Sequence, residues 1–531
     1  MSKKRVMWSA VLAGVALVAS ACGSPSANSS SPASAASTTT AGAASGATSG
    51  SAGTASGGTG TASGGTGTGP RAARGNRLQW SACHGAQGPV GYQCAILRVP
   101  LNYADPAQGT IGIALDRHPA AGSAIGSLLV NPGGPGVSGV DSVPGIVSEL
   151  STAMRDRFNV VGFDPRGVDR SDPVTCGTGS QLDAELAVDP GPTTGAGFAA
   201  LVAADKKFDA GCEARSGKIL PYVGTINAAR DLDKIRIALG QAKLDYLGFS
   251  YGTYLGAVYA KLYPNHIRAM VLDGALDPGL GQVATADTQS AALERQLDAF
   301  FVECAKGGCG WKPSGASAFQ ALLTQVGSHP VAVNGSTQQV NPAILLYGTA
   351  AALYSPQSWP LLGQALTDLR AGNGGPILEL FDEYFMRASN GTYSNVVEAE
   401  TAVDCDDGSV PSLAALRAAG PAAAKGAPFF GLLVLYSEAT CSVWPVKPDP
   451  RIGSIGAAGS PPIVVVGSTG DPITPYAWAQ ALAGQLQHGV LLTRDGDGHT
   501  GYQFSSCIRT AVDDYLLYLK VPAKGMTCAS D

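Results

Sequence analysis

The chain reads as an α/β protein: a largely parallel sheet covered on both faces by helices, with a large, mainly helical insertion. Three observations carry that expectation. Short, continuous apolar runs at 128–130, 244–247, 270–273 and 463–467 have the composition of strands buried on both faces. The pentapeptide Gly248-Phe249-Ser250-Tyr251-Gly252 stands between one such run and a helical pattern at 254–263, which makes it a strand-turn-helix junction. Between 273 and 463 the pattern turns helical, at 289–304, 317–326, 342–354 and 358–369, with Pro342 suited to a first helical turn because its missing N–H has no intrahelical partner to lose.

In a chain with 70 glycines among 531 residues, a bare Gly-x-Ser-x-Gly is expected about once by chance. Its position at the junction gives it meaning. Small glycines on either side of Ser250 permit a sharp turn that projects the hydroxyl above the sheet and frees the Tyr251 N–H to face a developing oxyanion.

A serine nucleophile needs a base and an acid, and both follow in the chain. The run at 463–467 delivers Ser468-Thr469-Gly470-Asp471 at its C-terminal end, which makes Asp471 the candidate acid. A strand at 490–492 precedes Arg494-Asp495-Gly496-Asp497-Gly498-His499-Thr500-Gly501, which is too glycine-rich to be expected as helix or strand. Of the six histidines only His488 and His499 follow Asp471, and His488 lies before the strand, on the wrong side of the sheet. His499 is therefore the candidate base, while Asp495 and Asp497 suit a solvated turn.

The early run at 128–130 leads into Asn131-Pro132-Gly133-Gly134-Pro135-Gly136. Glycines let this loop approach a substrate carbonyl and prolines stiffen it, so Gly133 or Gly134 is the candidate second oxyanion donor beside Tyr251.

These segments resemble the proline iminopeptidase-like group of α/β-hydrolases, and most of all its secreted or lipoprotein tripeptidyl aminopeptidases from actinobacterial cell envelopes. The likeness rests on 131–136, on Gly162-Phe163-Asp164-Pro165-Arg166-Gly167-Val168-Asp169-Arg170-Ser171, and on Val99 to Tyr103, Ala229 to Asp233, Ser250 to Thr253 and Gly470 to Pro475. It covers the chain from about Trp80 onward. Three positions depart from the family pattern: Asp169 and Thr500 stand where glycine is common, and Asn102 where aspartate is frequent. The resemblance implies an α/β-hydrolase fold with a helical lid and a Ser-His-Asp acyl-enzyme mechanism without cofactor. It also implies a serine exopeptidase that releases short peptides, tripeptides among them, from free N termini. The same triad would equally serve an envelope esterase or lipase, and a tethered binding lipoprotein with an inactive core is the non-enzymatic alternative.

Lys3, Lys4 and Arg5 precede an apolar stretch at 6–18, shorter than the roughly 20 residues needed to span a bilayer, and Ala19-Ser20-Ala21-Cys22 follows. This is the pattern of a secretion signal, and Cys22 resembles an acylated lipobox cysteine. From 23 to about 75 the chain is almost entirely Ser, Ala, Gly and Thr and cannot bury enough apolar surface to fold. As a flexible coil, about 50 such residues reach roughly 40 Å, a tether between membrane and enzyme. The expected divisions are a signal peptide at 1–21, a lipid-anchored linker at 22–75, core at 76–275, lid at 276–455 and core again at 456–531. The expected location is extracytoplasmic, on the membrane or in the wall, as a monomer.

Apart from Cys22, the ten cysteines form an even set, as in exported, disulfide-bonded chains. Their clustering pairs neighbours: Cys83 with Cys94, Cys176 with Cys212, Cys304 with Cys309, Cys405 with Cys441, and Cys507 with Cys528. Neither Cys-x-x-Cys nor His-Glu-x-x-His occurs, so no metal site is expected. A net charge of −5 and the lack of a basic, aromatic-interleaved patch give no support to nucleic-acid binding.

Recognition of a free α-ammonium calls for carboxylates in a partly desolvated pocket. The lid holds Asp404, Asp406 and Asp407 around Cys405, and the family segment it resembles has an acid at the position of Asp407. These three are the candidate amine-binding residues, with Glu398 and Glu400 behind them. Trp444 is expected to fill the lid core.

Overall fold

The apolar runs become the centre of a ten-stranded sheet in a computed structural model that describes residues 78–83, 91–313, 315–408 and 410–531. The signal segment, Cys22 and the linker lie outside the described residues. In chain order the strands are β1 (Ser81–Ala82), β2 (Gln93–Pro100), β3 (Thr110–His118), β4 (Gly126–Asn131), β5 (Phe158–Phe163), β6 (Leu244–Phe249) and β7 (Ile267–Asp273). A separate hairpin of β8 (Val331–Ala332) and β9 (Gln339–Val340) lies in the insertion. The sheet resumes with β10 (Ile463–Gly470), β11 (Gly489–Asp497) and β12 (Thr527–Ala529).

Spatial order is β1-β2-β3-β5-β4-β6-β7-β10-β11-β12. The first three strands run antiparallel to their neighbours, and every pairing from β5 through β12 is parallel. Burial on both faces is visible residue by residue. Leu129, Val161 and Val465 face one apolar cluster, whereas Leu128, Val130, Val160, Val464 and Val466 face another. Each such side chain contributes about 1.5–3 kcal/mol on leaving water, which is why these runs fold as central strands.

Helices α1 (Gly139–Glu149) and α2 (Thr152–Arg157) link β4 to β5, and α3 (Gly179–Leu186), α4 (Gly195–Ser216) and α5 (Thr225–Ala238) link β5 to β6. Helix α6 (Tyr251–Leu262) leaves the turn that follows β6 at Ser250. The insertion holds α7 (Gln282–Lys306), α8 (Ala316–Ser328), α9 (Pro342–Leu353), α10 (Trp359–Arg370), α11 (Gly375–Tyr384), α12 (Val396–Asp406), α13 (Leu413–Gly426) and α14 (Gly431–Tyr436). Finally, α15 (Tyr476–Gln485) and α16 (Ser506–Tyr518) flank β11. Pro342 opens α9, where Asn341 caps the helix by accepting from the Ile344 N–H.

Two expectations change. The lid is not confined to 276–455, because Phe198, Leu201 and Val202 of α4 join its apolar cluster beside Leu297 and Phe300, and Phe198 packs edge-on against Tyr436 at 4.9 Å. The segment 494–497 is strand rather than loop, because β12 pairs with 493–495 on the outer side and β10 pairs with Asp497 on the inner side. The buried Arg494 pins its end by donating to Ser468 Oγ and to the carbonyls of Asp497 and Gly498. All five neighbouring cysteine pairs lie at disulfide distance. Among the described residues no helix is long and apolar enough to cross a membrane.

Candidate active site

Ser250 sits at the tip of the β6–α6 turn with φ 52° and ψ −126°, a conformation that L-residues adopt only when their surroundings impose it. The flanking glycines are required by close approach. A Cβ at Gly248 would lie 2.4 Å from the Gly252 carbonyl oxygen, and one at Gly252 would lie 2.7 Å from Asn131 Oδ1. The Ser250 carbonyl is held by the Thr253 hydroxyl at 2.6 Å, and its N–H donates to the Asp273 carbonyl at 2.9 Å.

Asp471 leaves the end of β10 fully enclosed, with its carboxylate 2.9 and 3.0 Å from His499 Nδ1. It also accepts from the backbone N–H groups of Ile473, Thr474 and Thr500 and from the Thr474 hydroxyl. Burial opposes its charge, but His499 and these N–H groups outweigh burial and hold the carboxyl below the usual range. With Nδ1–H directed at Asp471, Nε2 is the ring nitrogen left to take a proton. Nε2 is buried and has no hydrogen-bond partner among the described residues. Ser250 and His499 converge on Gly274: Ser250 is bonded to the preceding residue, and a Cβ on Gly274 would meet His499 Cε1 at 3.2 Å.

Asp273 is a position beside the candidate triad that the sequence did not single out. It is fully buried at the end of β7, and its carboxylate accepts from the Gly501 and Tyr502 N–H groups, each at 2.8 Å, so it clamps the loop that carries His499. Its place as the last residue of β7, the strand adjoining β6, is the available signal. On the lid side, the His499 N–H donates to the Tyr354 carbonyl at 2.8 Å, and the two rings meet edge to face. Thr500, where family members commonly carry glycine, adopts φ 72°.

The loop 131–136 reaches the serine as its glycines allow. A Cβ on Gly133, at φ 105°, would lie 2.8 Å from Ser250 Cβ and 3.1 Å from the Tyr251 nitrogen. The Gly133 N–H is committed to Asn131 Oδ1 at 3.1 Å. The N–H groups of Gly134 and Tyr251 have no hydrogen-bond partner among the described residues, and both residues line the cavity in front of Ser250.

That cavity has a volume of about 1030 Å³. Helix α12 forms one wall and rests on the loop: a Cβ at Gly136 would come within 2.9 Å of the Glu400 nitrogen. Glu400, Asp404, Asp407 and Glu438 all line the cavity. Burial pushes Glu400, Asp407 and Glu438 up to about 7, and burial together with Glu400, Glu438 and Asp407 raises Asp404 well above the carboxylate range. Asp407 is also tied down, accepting from the Thr225 N–H at 2.7 Å and from the Thr225 hydroxyl, which in turn meets the Tyr251 phenol. Of the sequence candidates, Asp406 and Glu398 do not line the cavity. Burial and neighbouring carboxylates push Asp406 to about 8, and it is turned toward Gly224 and Trp444. Glu438 was missed because a single acid in a helical stretch looks like part of a solvated face. Among the described residues no group of three or more His, Cys, Asp or Glu side chains is placed to hold a metal ion.

A family model described as TAP-like protein matches residues 427–528. The chain is 36% identical over 478 residues to serine protease Hip1 of Mycobacterium tuberculosis, covering 86% of this chain and 91% of the relative. It is 33% identical over 455 residues to carboxylesterase B of the same organism, covering 82% and 86%. To the tripeptidyl aminopeptidase of Streptomyces lividans it is 32% identical over 485 residues, covering 86% and 88%. Similarity of this extent, together with the parallel sheet and helical lid, means that the chain belongs to the α/β-hydrolase family of serine peptidases that includes the tripeptidyl aminopeptidases.

Proposed function

We propose that the chain is an exported serine aminopeptidase that releases tripeptides from free N termini, with Ser250 as nucleophile, His499 as base and Asp471 as its orienting acid. His499 Nε2 takes the Ser250 proton as Oγ attacks the scissile carbonyl. The oxyanion is held by the N–H groups of Tyr251 and Gly134, the latter in preference to Gly133, whose N–H already has a partner. His499 then protonates the leaving amine, and in the second half it activates water to hydrolyse the acyl-enzyme.

The observation that carries this proposal is the row of carboxylates on α12 and at Glu438 in the cavity that Ser250 opens into. Glu400 and Asp404 are about one helical turn apart on the same face, about 6 Å along the axis, with the Glu400 end against the oxyanion loop. An extended tripeptide spans roughly 10 Å, and Asp404 and Glu438 line the same cavity as Ser250, so the ammonium is assigned to that acidic wall while the third carbonyl sits at Ser250. Glu400, Asp404 and Glu438 are assigned to the ammonium, and Asp407 to holding Thr225 and, through it, the Tyr251 phenol.

The test is hydrolysis of a chromogenic tripeptide against its N-acetylated twin, with Ser250→Ala as blank. Strong preference for the free amine is the expected result, and equal cleavage of both would sink the aminopeptidase assignment. The relative named carboxylesterase B favours ester hydrolysis as the second reading. Turnover of short-chain esters with neither peptide cleaved would put it first. Export and acylation at Cys22 are supported by the secretion pattern, the linker and the five cysteine pairs. We assign the working site to the outer face of the membrane or the wall, and the working state to a monomer.

A further inference from the structure

We infer that α3 and α4 add a second subsite to the cavity, built from Glu185 and Asp205, that takes the cationic side chain of a Lys or Arg residue in the substrate peptide. The inference rests on the peptidase assignment above and extends it to sequence preference.

Glu185 and Asp205 both line the cavity, on a wall shared with Leu186, Leu201 and Phe208. Asp205 is 8% exposed, and its Oδ2 is buried without a hydrogen-bond partner. Behind it, Asp209 is 3% exposed, with one oxygen taking the Thr440 hydroxyl at 3.0 Å and the other unpartnered. Burial first, and then Glu185 and Asp209, raise Asp205 to about 8, while burial takes Glu185 to about 7 against the pull of Lys207. Lys207 is exposed, and it acts on Glu185 only through space. An apolar wall that holds carboxylates without a counter-charge is costly, and an incoming cation removes that cost.

The α-ammonium does not fill this role, because the acids of α12 and Glu438 already answer it. The other full positive charge that a peptide carries at neutral pH is on a Lys or Arg side chain. The apolar stem of either residue would pack on Leu186, Leu201 and Phe208 while its head meets Glu185 and Asp205. A divalent ion does not fit as occupant, since among the described residues no group of three or more ligating side chains is placed for one.

The experiment uses free-amine chromogenic tripeptides on an alanine scaffold, with Lys, Arg or norleucine placed in turn at each of the three positions, and reads kcat/KM at pH 8. At one position Lys or Arg should exceed norleucine at least tenfold. In the double variant Glu185→Gln, Asp205→Asn that ratio should fall to about one, and in Glu185→Gln alone it should fall severalfold. Glu185 is only half-buried, so its single variant decides the matter if the double variant does not fold. Equal rates for Lys, Arg and norleucine at every position, or a preference that survives intact in the folded variants, would overturn the subsite. N-acetylated twins are run in parallel. If they are cleaved equally well, the aminopeptidase assignment fails, whereas the Lys-to-norleucine ratio still reports on Glu185 and Asp205.

Discussion

Asp273→Asn tests how His499, the proposed catalytic base, is held. The Asp273 carboxylate accepts two backbone N–H groups of the histidine loop, Gly501 and Tyr502, both at 2.8 Å and both buried. Hydrogen bonds to a charged group contribute about 1.5–3 kcal/mol each. Asparagine retains one acceptor but turns an NH2 toward the other N–H, so one bond is lost and two donors confront each other. Burial pushes the native carboxyl to about 6, and removing a charge that is costly to bury returns part of the loss. A net cost of about 2 kcal/mol in loop positioning remains, and at 1.36 kcal/mol per tenfold kcat should fall about 30-fold. Asp273 acts through the loop and not on substrate, so KM for the free-amine tripeptide should stay within about twofold. The assay is steady-state hydrolysis of that tripeptide, with thermal unfolding and active-site titration of Ser250 as controls. A folded, fully titratable Asp273→Asn enzyme whose kcat lies within twofold of the native value would refute the clamp.

Asp471→Asn should lower kcat by about 10⁴-fold with KM little changed, because His499 would lose the acceptor that fixes its tautomer; pre-steady-state acylation rates check this. The ratio of kcat/KM for a free-amine tripeptide over its des-amino analogue should fall as pH drops through about 7, because Glu400 and Glu438 gain protons there and lose the charge that holds the ammonium. It should fall again above about 8, where the substrate amine deprotonates, and taking the ratio cancels the titration of the triad. Replacing Cys405 and Cys441 together with alanine opens a link spanning 36 residues and should cost about 4 kcal/mol of stability by chain entropy. Denaturant unfolding measures this, and KM for free-amine substrates should rise because Cys405 anchors the end of α12.

The sheet was legible because each central strand is an apolar run punctuated by glycine, proline or asparagine, and burial on both faces leaves few other uses for such a run. The candidate triad was legible because Ser250, Asp471 and His499 each follow a strand and so emerge at one edge of a parallel sheet. What the sequence could not reveal depends on which surfaces meet. Nothing local assigns Phe198, Leu201 and Val202 to the lid, since an apolar stripe names no partner. The acids at Glu185, Asp205 and Glu438 stand singly in helical segments, where solvent is the default neighbour. The choice between Gly133 and Gly134 turns on one hydrogen bond from the Gly133 N–H to Asn131 Oδ1, beyond the reach of any pattern. At Thr500 the family's preference for glycine has a physical reason in the positive φ of that position.

The lid is bound to the catalytic centre too closely to act only as a door. Tyr354 accepts the His499 N–H through its carbonyl. Asn395, at the start of α12, accepts from the Asp169 N–H and donates to the carbonyls of Gly167 and Val174 in the core. Backbone of α12 lies against Gly136 so closely that a methyl group there would collide with it. A rigid-body opening of the lid would therefore break a hydrogen bond to the histidine loop and unseat the loop bearing Gly134 together with the helix bearing Glu400 and Asp404. If α12 takes the ammonium as proposed, substrate selection and transition-state stabilisation are joined through the same contacts: binding energy gathered by α12 is delivered at the loop on which α12 rests. On the proposed reading, that coupling predicts that loss of the α-ammonium depresses kcat and does not only raise KM; comparing the two constants for a free-amine tripeptide and its N-acetylated twin checks it, and a change in KM alone would refute it.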